Sequence, residues 1–167
     1  ALPILLDMGA TAAFFLATGY IGLDPKNDKE ILLGFFKHGQ MLVEFLDWDD
    51  CRKLAAAGMI IGSHTVSHSR LTSLVEEDAR RELNNSKFTI EEELGRPCDH
   101  FCCPYGLPGR DFNVERDPGL VKVVGYKSML TTERGATRQG DMPHRLRRDH
   151  TLANWGNYQL RYFMSLQ

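Results

Sequence analysis

Apolar residues at positions 2, 4, 5, 6 and 8 run up to Gly9, a pattern that predicts a short helix closed by a glycine. Residues 11–16, Thr-Ala-Ala-Phe-Phe-Leu, follow as a short buried strand. Residues 18–44, with Gly19, Gly22, Asp24-Pro25 and Gly34-Phe35-Phe36, read as a long excursion with a short helix of its own. Asp47 reads as an N-cap with Asp49 and Asp50 in the first turn, and Cys51, Leu54 and Ala55 form an apolar stripe before Gly58 ends the helix. Residues 59–62 are the next strand. Thr72 or Ser73 is placed to cap a helix reaching Leu94, with Leu83, Phe88, Ile90 and Leu94 on its apolar side. Between Glu76 and Glu93 this helix carries seven acids and three bases, the pattern of a solvated face. Residues 100–103 form a strand entering the turn Pro104-Tyr105-Gly106, residues 117–124 a helix and residues 126–131 a strand. Leu146 falls on a last short strand, and residues 154–166 resemble a terminal helix packed through Trp155, Leu160, Phe163 and Met164.

Alternation of helix and strand is the signature of an α/β fold with parallel strands. At 167 residues, 43% apolar and 25% charged, the chain is the size and composition of one globular domain, 1–167. Its 20 basic and 22 acidic residues leave a net charge of −2, which gives no general reason to bind nucleic acid or an anionic membrane. The longest strictly apolar run is Ala12 to Ala17, far short of the roughly 20 residues of a membrane span. The opening Ala1-Leu2-Pro3-Ile4 has neither an initiator Met nor the features of a signal peptide, so an upstream segment is expected. Cys51, Cys98, Cys102 and Cys103 include an adjacent pair, a poor disulfide framework. Free thiols favour a reducing, cytoplasmic compartment.

The densest chemistry is Ile61-Gly62-Ser63-His64-Thr65-Val66-Ser67-His68. It follows a predicted strand directly, and the carboxyl ends of strands are where α/β folds collect ligand chemistry. His64 and His68, four apart, have the spacing of two imidazoles one helical turn apart that ligate one cation from the same side. Ser63 and Thr65 carry short hydroxyls that can hold such a loop by bonding its backbone. A third ligand is required; two histidines four apart also arise by chance.

These segments resemble, in order, the polysaccharide deacetylase family, the NodB-homology or carbohydrate esterase family 4 enzymes. Residues 2–15 resemble the family's first helix and second strand, residues 54–68 its second motif with the approach helix, Phe101-Cys102-Cys103-Pro104-Tyr105-Gly106 its third motif, and residues 125–132 the following strand. The resemblance implies a distorted, incomplete (β/α) barrel of about seven strands when intact. It implies metal-assisted hydrolysis of an N- or O-linked acetyl group on a carbohydrate polymer, with a divalent cation polarising the carbonyl and activating water. Zinc is the expected metal, with cobalt, manganese or nickel as substitutes. His64 and His68 would be two ligands. The backbone N–H of Tyr105 would help form the oxyanion hole, with Pro104, Tyr105 and Gly106 lining the substrate. Family members take the third ligand and the catalytic base from a Thr-Phe-Asp-Asp-Gly strand upstream of the first helix. That strand is not in this sequence, so the base is expected before Ala1. Cys102 stands where many members carry an arginine that orients the base.

Other clusters have plainer readings beside functional ones. Asp49-Asp50 caps a helix. Cys98-x-His100-x-Cys102-Cys103 could be a second metal cluster, but on a strand the three alternate residues spread over about 13 Å, which favours buried, inert thiols. His144 and His150 are the late histidines available to protonate a leaving amine, or else surface histidines. Arg134, Arg138, Arg145, Arg147 and Arg148 against Asp141 give residues 134–148 a charge of +4, suited to an anionic glycan or to a solvated loop. Trp48, Trp155, Tyr20, Phe35 and Phe36 could stack on sugars or belong to the core. Two other functions stay open: a catalytically inactive carbohydrate-binding or regulatory module, and a related C–N hydrolase acting on a small amide.

Overall fold

The computed structural model describes residues 1–35, 44–149, 156, 158 and 161. The chain divides into two compact units, residues 1–69 with 81–98, and residues 70–80 with 99–167. Most of the predicted terminal helix, the Phe36 position, Trp155 and His150 lie outside the described residues.

In the first unit, α1 (Leu2–Asp7) has Pro3 in its first turn and buries none of its residues. It closes through Gly9 at φ 60°, the glycine stop predicted above. β1 (Ala13–Leu16) pairs in parallel with β2 (Ile60–Ser63), Ala13 opposite Ile60 and Leu16 opposite Ser63. The excursion between them holds a 3₁₀ turn at Thr18–Tyr20 and the expected short helix, α2 (Lys29–Phe35). The Asp47 carboxylate accepts the Asp50 N–H at 2.7 Å to start α3 (Trp48–Ala56), whose Cys51 and Leu54 are buried. Arg96 then donates to the carbonyls of Ala55 at 3.1 Å and Met59 at 3.0 Å, fixing the α3–β2 connection.

The long helix begins later than its pattern predicts. Thr72 and Ser73 lie in a 3₁₀ turn (Leu71–Ser73), and α4 (Glu76–Leu94) starts after it. Their hydroxyls bond the carbonyls of Arg110 and Arg70 instead of capping α4. Leu83 and Ile90 are fully buried as expected, whereas Phe88 is 64% exposed: three apolar positions so spaced cannot all share one narrow stripe.

In the second unit, β3 (His100–Cys102) and β4 (Ser128–Leu130) pair in parallel, Cys102 opposite Leu130. Leu146 adds an isolated parallel bridge to Leu130, where the sequence places a last short strand. α5 (Asp117–Val123) packs through Leu120 and Val121, and Phe101, Phe112 and Met129 are fully buried. Its start is tied to the 3₁₀ turn by Arg116, which bonds buried Asp117 at 2.7 Å and the carbonyls of Leu71 and Leu74. The architecture is therefore α/β with parallel strands. The four strands among the described residues are fewer than a closed barrel needs.

Candidate active site

His64 and His68 sit where β2 leaves its sheet pair, and their rings come within 4.8 Å, centroid to centroid, at 62°. A helical turn does not bring them together. Thr65 and His68 adopt φ of 68° and 57°, left-handed values that a helix excludes and that cost a non-glycine residue roughly 1–2 kcal/mol. A compact loop does the work that helical spacing was expected to do.

Several groups hold that loop. The fully buried Thr65 hydroxyl accepts the His68 N–H at 3.0 Å. Glu82 on α4 accepts the N–H groups of Val66 and Ser67 at 2.8 and 2.9 Å through one oxygen. Thr18 and Gly19 donate to the carbonyls of Thr65 and Val66 at 3.1 and 2.9 Å. Gly19 is required for this approach, since a Cβ there would meet the Val66 oxygen at 2.8 Å. Buried Ser63 supports the loop differently from its prediction: its hydroxyl bonds that of Ser86 on α4 at 2.8 Å. Glu82 and Ser86, one helical turn apart on α4, had no signal in the sequence beyond an acidic helix face.

The two imidazoles open into an apolar cavity of about 320 Å³, walled by Phe15, Leu16, Ile21 and Phe45. Burial pushes the His68 pKa below its usual value, favouring the neutral imidazole that ligates metals. Two imidazoles on one tetrahedral ion, at Zn–N of about 2.0–2.1 Å, hold their rings about 5 Å apart, and 4.8 Å suits that geometry. The pair therefore fits a divalent cation as two of its ligands. Among the described residues no third His, Cys, Asp or Glu joins them.

The second unit carries the other expected group. Pro104-Tyr105-Gly106 forms a tight turn after β3, with Tyr105 at φ 60° and Gly106 at φ 79°. Gly106 packs so closely that a Cβ would lie 2.8 Å from the Thr132 nitrogen. Thr132 clamps the turn, its hydroxyl donating to the Tyr105 carbonyl at 2.6 Å and its N–H to the Gly106 carbonyl at 3.0 Å. The Arg70 guanidinium lies 4.0 Å over the Tyr105 ring. Pro104 is buried, and the Tyr105 side chain is 45% exposed.

The remaining candidates take structural parts. Cys98, Cys102 and Cys103 are buried thiols, and His100 bonds the Ser128 hydroxyl at 2.9 Å through Nδ1. Burial raises the Cys102 pKa to about 11 and pushes Cys103 up further, the inert reading of that cluster. His144 is half-buried, its Nε2 bonded to the Tyr126 carbonyl at 2.9 Å. Among the late arginines, Arg145 pairs with Glu133, Arg134 with Asp149, and Arg148 donates to the Thr131 carbonyl. Tyr20 stacks on Phe45 at 5.5 Å and 29°, and Trp48 is half-buried at the start of α3.

The polysaccharide deacetylase family model matches residues 1–123. The chain belongs to that family. Its fold is similar to the Streptococcus pyogenes deacetylase PplD, solved in complex with acetate, at a TM-score of 0.74 and 21% identity over 97% of this chain and 62% of that one. The de-N-acetylase from Aggregatibacter actinomycetemcomitans gives a TM-score of 0.73 at 17% identity, covering 97% of this chain and 68% of that one. IcaB from Ammonifex degensii gives 0.71 at 19% identity, covering 92% and 62%. The chain thus spans about three-fifths of the length of PplD and IcaB. None of the curated proteins compared with it matches the chain.

Proposed function

We propose that this chain is the major part of a metal-dependent hydrolase that removes N- or O-linked acetyl groups from a carbohydrate polymer. The observation that carries the reading is the convergence of His64 and His68 at 4.8 Å on an apolar cavity, within a chain of the polysaccharide deacetylase family. The two imidazoles hold a divalent cation, zinc by preference for nitrogen ligands, with cobalt, manganese or nickel as substitutes. Bound there, the cation would polarise the acyl carbonyl and lower the pKa of water. In the family pattern the third ligand and the base would be two adjacent aspartates of a Thr-Phe-Asp-Asp-Gly strand, which residues 1–167 do not include.

This chain's own residues do the rest. His64 and His68 are held in orientation because Thr65 and Glu82 fix the loop between them, and burial favours the neutral form of His68. The apolar walls of the cavity lower the local polarity beside the two imidazoles, which strengthens polar contacts made there. The Tyr105 N–H, held by the Thr132 clamp, serves as the oxyanion donor.

The test is protein made from the complete reading frame. About one equivalent of divalent metal is expected, lost in His64→Ala or His68→Ala, with metal-dependent acetate release from acetylated oligosaccharides. Sugar binding without acetate release would make the chain an inactive carbohydrate-binding module. Hydrolysis confined to small amides would assign it to related C–N hydrolases.

A further inference from the structure

We infer that Arg70 is a positioning residue: it sets the Tyr105 turn from two sides and governs turnover rather than substrate affinity. The inference rests on the assignment of Tyr105 as oxyanion donor made above.

Tyr105 holds a left-handed backbone, φ 60°, and a conformation of that kind persists only where its surroundings over-determine it. Its carbonyl is fixed by Thr132. Tyr105 is 45% exposed, so core packing covers it only in part. The Arg70 guanidinium at 4.0 Å from the ring centroid supplies a directional contact on that side. Arg70 is in turn paired with Asp111, whose carboxylate is fully buried. The other oxygen of Asp111 accepts the Leu107 N–H at 2.9 Å. One guanidinium therefore holds the ring of Tyr105 directly and, through Asp111, the backbone two residues further on.

Neutralising a buried carboxylate does not by itself explain Arg70. Arg110 also bonds Asp111, Nε to Oδ1 at 3.1 Å and Nη2 to Oδ2 at 3.2 Å, yet its side chain is 62% exposed. Asp111 keeps a cation when Arg70 is replaced, so the variant leaves no orphaned buried charge. What Arg70 alone adds is the ring contact, and an oxyanion donor displaced by about 1 Å loses on the order of a hundredfold in rate.

The experiment uses the complete protein with Arg70→Met, Arg70→Lys and, as a control, Arg110→Gln. Arg70→Met is expected to lower kcat about 10- to 100-fold with KM and metal content unchanged, and to speed amide exchange at Gly106 and Leu107 about tenfold. Arg70→Lys, which restores a cation over the ring without the planar fork, recovers part of both. Arg110→Gln leaves both near wild type. Wild-type kcat and exchange in Arg70→Met would overturn the inference, as would an equal loss in Arg110→Gln, which would mark a plain ion pair. If the wild-type protein releases no acetate, the deacetylase reading falls, and the exchange rates still decide whether Arg70 orders the turn.

Discussion

Thr65 and His68 hold a loop whose left-handed backbone no helix would tolerate, and the histidine chemistry follows from that. With the His68 pKa lowered by burial, the unfolded chain takes up a proton below pH 6.5 before the folded chain does. The contribution of His68 to the stability of the metal-free protein is therefore complete above that pH and falls as the pH drops below it. Melting temperatures measured across this range are expected to decline on the acid side, and His68→Gln should remove that part of the slope. Thr65→Val is nearly isosteric but leaves the His68 N–H without its 3.0 Å acceptor. We expect a loss of about 1–3 kcal/mol in urea unfolding and metal affinity weaker by about tenfold.

At the scale of elements, α4 serves the histidine loop more than its acidic surface suggests. Glu82 takes two loop amides and Ser86 takes Ser63, so this helix sets where β2 ends and how the rings are presented. Glu82→Ala should weaken metal binding about 10- to 100-fold, measured by competition with a chromogenic chelator, while helix content by circular dichroism stays unchanged. Asp117 plays the matching part for α5. Its fully buried carboxylate accepts from Arg116 at 2.7 Å and from the Asn113 N–H at 2.6 Å. Removing one member of such a pair strands the other, so Asp117→Ala is expected to cost about 3–5 kcal/mol, read from the urea midpoint.

For the molecule as a whole, Cys51, Cys98, Cys102 and Cys103 are buried thiols. Burial raises the thiol pKa of both Cys51 and Cys102 to about 11. A thiol-specific reagent at pH 8 should find these four unreactive in the native protein and all four reactive in denaturant. Fast labelling of Cys102 or Cys103 without denaturant would contradict the inert reading. No described helix is long and apolar enough to cross a membrane, in agreement with the short apolar runs of the sequence.

The sequence by itself determined the alternation of helix and strand, the Asp47 cap, the glycine stops and the location of His64 and His68 after a strand, because each depends on local backbone preferences and side-chain periodicity. It also carried the family, through ordered motifs. It misplaced the start of α4, since Thr72 and Ser73 are capable caps that spend their hydroxyls on nearby carbonyls instead. It explained the histidine pair by helical spacing, whereas a loop with two left-handed residues closes the rings. Glu82, Ser86 and the contact of Arg70 with Tyr105 were invisible in it. Each joins residues 15 to 35 positions apart, or holds a backbone that local propensity disfavours, and only tertiary packing decides which distant polar group meets which amide or ring.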